Sequence, residues 1–278
     1  MGNPRELTLM AVHAHPDDES SSTGGVLARY SAEGIRTVVV TCTNGEYGDG
    51  PGHVKPGADG HDPEQVAKTR LAELELACEH LGVWRSELLG YHDSGMPDWA
   101  FREDDHVFWN ADPAEPVARL VELFERHRPD VVVTYDDNAG YNHPDHLRAN
   151  HVTIAAIEAT DIPSKAYLIA RRRHDWDGLR ERAQAAGVEL PTFPSQTPER
   201  IQQAAEREAQ ITTSIDVSAV VGSKRAALAS HASQLDQAWW VDFPDELFAE
   251  LFGRESFIRY RDRTGAPVPE DDLFAGLR

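Results

Sequence analysis

The segment LTLMAVHAHPDDE, residues 7–19, joins an apolar run to a dense cluster of ionisable side chains. The apolar part predicts a buried β-strand. The part that follows, HAHPDDE at residues 13–19, holds two histidines and three acids. Such a concentration of charge beside a buried strand is unfavourable unless a partner compensates it, and a metal ion is the simplest partner. This hypothesis requires a matching set of ligands elsewhere in the chain.

A second cluster with the same pattern occurs in GYNHPDH, residues 140–146. His-Pro-Asp occurs again, and here two histidines, His143 and His146, lie three positions apart around Pro-Asp at the predicted start of a helix. Taken singly, these residues have ordinary explanations, such as a hydrogen-bonded histidine at a strand end or an aspartate that caps a helix. Two copies of His-Pro-Asp at equivalent positions favour a metal instead. Two imidazoles and one carboxylate leave a coordination position open for water, which is the catalytic pattern of zinc.

The alternation of strands and helices along the chain indicates the fold class. Strands are predicted over 7–13, 37–43, 86–93, 130–136, 165–170 and 211–217, and helices over 22–33, 63–81, 113–127, 144–159, 175–187, 198–210 and 218–235. This order predicts an α/β fold with a Rossmann-like, mostly parallel sheet and helices on both faces. We expect a single domain over residues 1–278 with irregular C-terminal additions. Both clusters follow strands, at the edge where such sheets bind ligands.

Composition restricts the partners and the compartment. With 27 basic and 47 acidic residues, the net charge of −20 disfavours nucleic acid and anionic membranes as partners. No apolar stretch approaches the roughly 20 residues of a membrane span, and the N-terminus lacks a signal-peptide layout. Two cysteines imply no disulfide framework, so we expect a cytoplasmic protein. The pair Trp239–Trp240 is either core, a pocket wall or a patch for a homo-oligomer.

Several motifs resemble one known family. HPDDE together with a later HPDH is similar to the signature of the PIG-L/LmbE-like zinc-dependent de-N-acetylases. Similar motifs follow in the same order, and the resemblance spans residues 7 to about 235: TCTNGEYG, TRLAELELACEHLGV, DSGMP, VVVTYDDNAGYNHPDH and SKRAALASHASQ. Within the family, the segments LMAVHAHPDDESS and DDLFAGL look most similar to mycothiol S-conjugate amidases. The N-acetylglucosaminyl-inositol deacetylase of the mycothiol pathway is the next neighbour.

The resemblance implies a metal site and a general base. It gives His15, Asp18 and His146 as the ligands of one Zn²⁺, although iron is also compatible with these donors. Asp17 would be the general base that takes a proton from the attacking water. Zinc lowers the pKa of its water to about 7, so a neighbouring carboxylate can complete the activation.

The second cluster supplies the remaining catalytic candidates. His143 would stabilise the oxyanion or act as the acid, and the Tyr141 hydroxyl would also meet the developing charge. Asp145 would orient a histidine from behind.

Three further residues are candidates for binding an amino-sugar. The resemblance implies that Glu46, Arg70 and Asp93 face the sugar hydroxyls. Alternatively, Arg70 pairs with a glutamate on its own helix, Glu73 or Glu75, and Asp93 forms a turn. His231 either caps the site or is structural, and His13 packs beneath the site without binding metal.

These residues predict a zinc hydrolase that cleaves the N-acyl bond of a small glucosamine-type substrate, with mycothiol-like compounds preferred. One alternative is a tailoring de-N-acetylase that acts on a glycosylated natural product. Another is a non-haem iron oxygenase, because two histidines and one carboxylate also bind iron(II), although its usual scaffold is a β sandwich. A nucleotide-binding module is disfavoured because no G-x-G-x-x-G follows the first strand.

Overall fold

The computed structural model describes residues 6–99, 106–137, 143–172, 176–188, 197–235, 240 and 243–278. The strands are β1 (Thr8–His13), β2 (Arg36–Thr43), β3 (Arg85–Tyr91), β4 (Val131–Thr134), β5 (Lys165–Ala170), β6 (Thr213–Asp216) and β7 (Arg254–Asp262). The helices are α1 (Asp18–Ser22), α2 (Gly24–Ala32), α3 (Pro63–Leu81), α4 (Ala114–His127), α5 (Pro144–Thr160), α6 (Trp176–Ala185), α7 (Pro198–Glu208), α8 (Val221–Ser230) and α9 (Asp245–Phe252). No helix within these ranges combines the length and the apolar character that crossing a bilayer requires.

The strands form one seven-stranded sheet in the order β3-β2-β1-β4-β5-β7-β6. The pairs from β3 through β5 are parallel, whereas β7 is antiparallel to both β5 and β6. The chain leaves β1 on one side to form β2 and β3, and it returns on the other side of β1 as β4. This reversal creates a crevice at the carboxyl ends of β1 and β4. Both His-Pro-Asp clusters follow these two strands.

Helices cover both faces of the sheet, as predicted. Successive residues of β1 point to opposite faces, so Leu9 and Ala11 join one apolar cluster while Met10 and Val12 join another. The first cluster receives side chains of α2, α3 and α8, and the second receives side chains of α4 and α5. The predicted α/β fold is therefore confirmed.

Local signals set the ends of the helix that later positions an arginine at the site. Asp62 caps α3 by accepting hydrogen bonds from the backbone N–H groups of Glu64 and Gln65. Pro63 occupies the first turn, and Gly82 ends the helix in the left-handed conformation. The predicted bounds of this helix agree with the structure.

The C-terminal part differs from the expectation in two respects. The predicted helix over 218–235 is divided into a 3₁₀ turn, α8 and a second 3₁₀ turn at Ala232–Gln234. Strand β7 was not predicted, because arginines and acids interrupt its alternation of apolar residues. Its buried Glu255 is compensated by Lys224 and by the N–H groups at the start of α2, which are all distant in sequence.

A third apolar cluster lies under the C-terminal helix α9 and shows which of the predicted roles Trp240 fits. Trp240 packs against this cluster, with its ring 6.5 Å from the Phe252 ring. Trp240 therefore fits the core-packing alternative, and Trp239 lies outside the described residues.

Candidate active site

The turn after β1 and the start of α5 bring three potential ligands together. His146 Nε2 lies 3.3 Å from Asp18 Oδ2, and His15 Nδ1 lies 3.4 Å from the same oxygen. All three side chains are buried, and their donor atoms lie within 4.8 Å of one another. A tetrahedral zinc site with bonds of about 2.1 Å separates its ligands by about 3.4 Å. The donor set and its spacing therefore fit one small divalent cation.

The ionisable groups of this cluster shift each other's pKa values. Burial opposes ionisation of Asp18, but His146 and His15 outweigh it and hold the pKa of Asp18 well below its usual range. Burial also disfavours the charged form of His15, yet Asp93 and Asp145 raise the pKa of that imidazole well above its usual value. Excess negative charge thus surrounds His15, which is the environment that a bound cation would neutralise.

Asp145 holds His15 from the side opposite to Asp18. The Asp145 Oδ2 atom lies 3.2 Å from His15 Nε2 and accepts the N–H of Ser94 at 2.9 Å. The Ser94 hydroxyl donates to the other carboxylate oxygen. With Nε2–H directed at Asp145, the Nδ1 lone pair of His15 remains for a metal. The orienting role predicted for Asp145 requires such a contact. Ser94, which fixes the carboxylate, was not identified from the sequence, although it follows Asp93 in the DSGMP motif.

A second potential ligand group overlaps the first. Suitable atoms of His15, Asp93, His143 and Asp145 also lie within 4.8 Å of one another. However, both oxygens of Asp145 are already hydrogen-bonded to Ser94. We therefore favour the group that contains Asp18.

The backbone of Asp17 is strained, and an arginine holds its side chain. Its φ of 124° and ψ of −24° lie outside the regions that residues with a Cβ normally occupy, at an expense of about 1–3 kcal/mol. Arg70 Nη2 donates to Asp17 Oδ2 at 2.9 Å and to the Pro16 carbonyl at 2.6 Å. Strain at a proposed catalytic residue is expected where the surrounding structure enforces its position.

The predicted contacts of Arg70 need revision. Its other terminal nitrogen donates to the Gly45 carbonyl at 2.7 Å, and only 4% of the residue is exposed. Neither Glu73 nor Glu75, the two partners considered from the sequence, is among these acceptors, and Glu73 accepts hydrogen bonds from Ser233 instead. A Cβ on Gly45 or Gly48 would approach Arg70 Nη1 to 2.6 or 2.5 Å, so these glycines make room for the guanidinium. Arg70 is thus placed to orient Asp17, while binding to sugar hydroxyls stays a prediction.

His143 is oriented by the helix that it caps. Its Nδ1 accepts the backbone N–H of Asp145 at 3.2 Å, so in the neutral ring the proton is on Nε2. Burial, with help from the neighbouring His15, lowers the pKa of His143 to about 3. Its ring contacts the His15 ring edge-on, with centroids 4.5 Å apart. This tautomer favours donation of a hydrogen bond to an oxyanion, one of the two predicted roles.

The other predicted site residues lie at different distances from the ligand cluster. Asp93 Oδ1 is 3.7 Å from His15 Nε2 and accepts the Gly95 N–H, so Asp93 borders the cluster directly. Glu46 is one layer further out, since it accepts the Asp93 N–H at 3.1 Å and contacts His92. Tyr141 lies outside the described residues.

His13 lies beneath the site. Its Nε2 is 2.8 Å from Thr23 Oγ1, and burial lowers its pKa to about 4.

Residues 10–157 match the family model described as PIG-L, GlcNAc-PI de-N-acetylase. The chain belongs to this family. It is 39% identical to the 1D-myo-inositol 2-acetamido-2-deoxy-α-D-glucopyranoside deacetylase of Acidothermus cellulolyticus, over 97% of this chain and 95% of that protein. The matched range of the family model includes both His-Pro-Asp clusters and ends within α5.

Two solved structures share the fold. The match to the N,N'-diacetylchitobiose deacetylase of Pyrococcus horikoshii covers 91% of this chain and 83% of that protein, with a TM-score of 0.59 and 19% identity. The match to the 4-carboxy-2-hydroxymuconate hydratase of Pseudomonas putida covers 94% of this chain and 99% of that protein, with a TM-score of 0.60 and 17% identity. Because a deacetylase and a hydratase share this fold, the fold alone does not determine the reaction.

Proposed function

We propose that the protein is a zinc-dependent de-N-acetylase that hydrolyses the acetamide of an N-acetylglucosaminyl-inositol. The observation that carries the proposal is the 39% identity, over nearly the whole of both chains, to a deacetylase named for that substrate. The buried cluster of His15, Asp18 and His146 supports it, because the donor types and spacings of 3.3 and 3.4 Å suit zinc. An iron oxygenase is less well supported, since the chain has a parallel α/β sheet instead of a β sandwich.

The side chains of the site divide the work of amide hydrolysis between them. When bound, zinc would supply Lewis acidity toward water and toward the amide carbonyl. Asp17, held by Arg70, accepts a proton from the attacking water at its carboxylate. His143 donates a hydrogen bond from Nε2 to the oxygen on which negative charge develops. Asp145 keeps His15 in the tautomer that presents Nδ1 to the metal.

The name of the relative also favours one substrate over the other that the sequence suggested. The terminal segments of the chain resemble amidases that act on mycothiol conjugates, whereas the relative reported above is named for an acetamide attached to an inositol glycoside. We therefore propose the small acetylated glycoside as the preferred substrate. Asp93, at the border of the cluster, is our choice for a contact with a sugar hydroxyl.

The test is a comparison of substrates with zinc-loaded protein under anaerobic conditions. The panel contains 1D-myo-inositol 2-acetamido-2-deoxy-α-D-glucopyranoside, a mycothiol S-conjugate, N-acetylglucosamine and a bulky glycosylated acetamide. Mass spectrometry measures the free amine. We expect the highest kcat/KM for the inositol glycoside and no requirement for oxygen. Hydrolysis of the bulky acetamide alone would support the tailoring alternative, and hydrolysis of none of the four would refute the proposal.

Organisation and location form part of the same proposal. We propose one domain over residues 1–278, because β6 and β7 join the same sheet as β1 to β5. We propose a cytoplasmic location, supported by the two free and buried cysteines, Cys42 and Cys78. Size-exclusion chromatography with light scattering tests the predicted homo-oligomer.

A further inference from the structure

A buried pair of side chains that the mechanism does not use lies directly behind Asp17. His231 follows α8, and its Nε2 lies 2.8 Å from Glu19 Oε1. Glu19 is completely buried, and His231 is 2% exposed. The two residues are 212 positions apart in the chain. The pair therefore joins the turn after β1 to the C-terminal half of the chain.

The other oxygen of Glu19 contacts the strained residue itself. Glu19 Oε2 accepts the backbone N–H of Asp17 at 3.0 Å. This hydrogen bond acts on the peptide group adjacent to the φ torsion of 124°. Arg70 meanwhile holds the Asp17 carboxylate at 2.9 Å. Two separate buried residues thus fix Asp17: Glu19 holds its main chain, and Arg70 holds its side chain.

We infer that His231 is a positioning residue for the general base, acting through Glu19 on the backbone of Asp17. His231 directs the Glu19 carboxylate so that its second oxygen faces the Asp17 N–H. The Ser20 hydroxyl donates to the same Oε1 atom, so without His231 this buried oxygen keeps only the hydroxyl of an adjacent residue, which leaves the carboxylate free to rotate. The turn then relaxes, and the Asp17 carboxylate leaves its position beside Arg70. This inference rests on the proposed role of Asp17 in hydrolysis.

A merely structural role would have different consequences. His231 also ends the helix α8, which packs against α3. If its role were structural alone, its loss would loosen the packing of these two helices and leave Asp17 in place. The chain offers a matched control for that alternative. His127 Nε2 lies 2.7 Å from Glu87 Oε1, and the His127 side chain is 5% exposed. This pair has the same chemistry, and its other neighbours, Trp84 and Arg126, lie outside the turn that carries Asp17.

The experiment compares His231→Leu and His231→Gln with His127→Leu in the zinc-loaded, full-length protein. Leucine removes the ring nitrogens, whereas the glutamine amide can still donate to Glu19. We expect His231→Leu to lower kcat about 10–100-fold, the range typical for loss of a partner behind an active-site group, with unchanged KM and metal content. His231→Gln should restore most of kcat. His127→Leu should lower the melting temperature without changing kcat.

A crystal structure of His231→Leu provides a readout that does not depend on turnover. We expect the φ of Asp17 to leave its value near 124° and the contact with Arg70 to be lost. An unchanged Asp17 conformation, or a kcat that matches the wild type while the melting temperature falls, would overturn the inference. Should leucine prevent folding, His231→Asn, which is too short to reach Glu19, replaces it. Absence of wild-type activity on every amide would refute the proposed function, while the conformation of Asp17 would still decide the positioning role.

Discussion

Replacement of Arg70 distinguishes two roles for the same side chain. The resemblance predicts that it binds sugar hydroxyls, whereas the structure places its donors on Asp17, Pro16 and Gly45. Loss of a residue that binds the ground state and the transition state of the substrate equally mainly raises KM. Loss of a residue that orients the general base mainly lowers kcat. We expect the second result.

The contacts allow the effect on stability to be estimated. Arg70→Met keeps the length and apolar stem of the side chain but removes every donor. Breaking a buried ion pair by removing one partner usually destabilises a protein by about 3–5 kcal/mol. Because 35% of the Asp17 side chain is exposed, water replaces part of the lost interaction, and we expect the free energy of unfolding to fall by about 2–3 kcal/mol. Arg70→Lys keeps the charge but cannot span three acceptors, so we expect about 1–2 kcal/mol.

Three measurements test this reasoning. Elemental analysis gives the metal content, urea denaturation gives the stability, and steady-state kinetics with the inositol glycoside gives kcat and KM. We expect kcat to fall about 10–100-fold in Arg70→Met, equivalent to about 1.4–2.7 kcal/mol, with metal content and KM unchanged. In the double variant with Asp17→Asn the two losses should not add, because both act on one proton transfer. A rise in KM of about tenfold with kcat preserved would refute the positioning role and support sugar binding.

Three other predictions follow from the ligand cluster and from two buried groups outside it. His146→Ala should lose the metal, as measured by elemental analysis. The control variant His151→Ala, on the exposed side of the same helix, should retain it. Full metal occupancy in His146→Ala would exclude His146 as a ligand. Burial raises the pKa of Cys78 to about 12, so the native protein at pH 8 should not react with a thiol reagent until urea unfolds it. Rapid labelling of Cys78 in the native protein would contradict this burial. Lys165→Met should destabilise the protein by about 2 kcal/mol, because it removes the ammonium from the buried Glu270 and leaves Arg259 as the cation paired with that carboxylate. The control variant Lys55→Met, at an exposed ion pair, should change the free energy of unfolding by less than about 1 kcal/mol. Equal losses of stability in the two variants, measured by urea denaturation, would contradict this prediction.

The sequence was most informative where periodicity and chain direction determine position. The β-branched runs and the alternation of strands and helices predict the parallel part of the sheet. The carboxyl ends of parallel strands lie at one edge, so the two His-Pro-Asp clusters could be placed together without knowledge of the strand order. The structure agrees with that placement through the 3.3 Å contact between His146 and Asp18.

The sequence was least informative about which buried polar groups meet. Periodicity reports which face of an element is buried, but it does not report the partner across the core. Arg70 illustrates this limit, because its helical neighbours Glu73 and Glu75 are obvious partners in the sequence. Its actual acceptors come from two loops 25 and 54 positions away. Strand β7 was missed for a related reason, since its buried Glu255 is compatible with a strand only in the presence of Lys224.

The geometry of the turn after β1 explains why these remote partners are needed. Within four residues, His15 and Asp18 face the ligand cluster while Asp17 between them faces Arg70. The backbone departs from its regular conformations at this turn, as the positive φ of Asp17 shows. Glycine would adopt this conformation readily, but it would provide no carboxylate for the proposed proton transfer. The strain is therefore tied to the chemistry, and the buried contacts of Arg70 and Glu19 stabilise the turn in the conformation that the site requires.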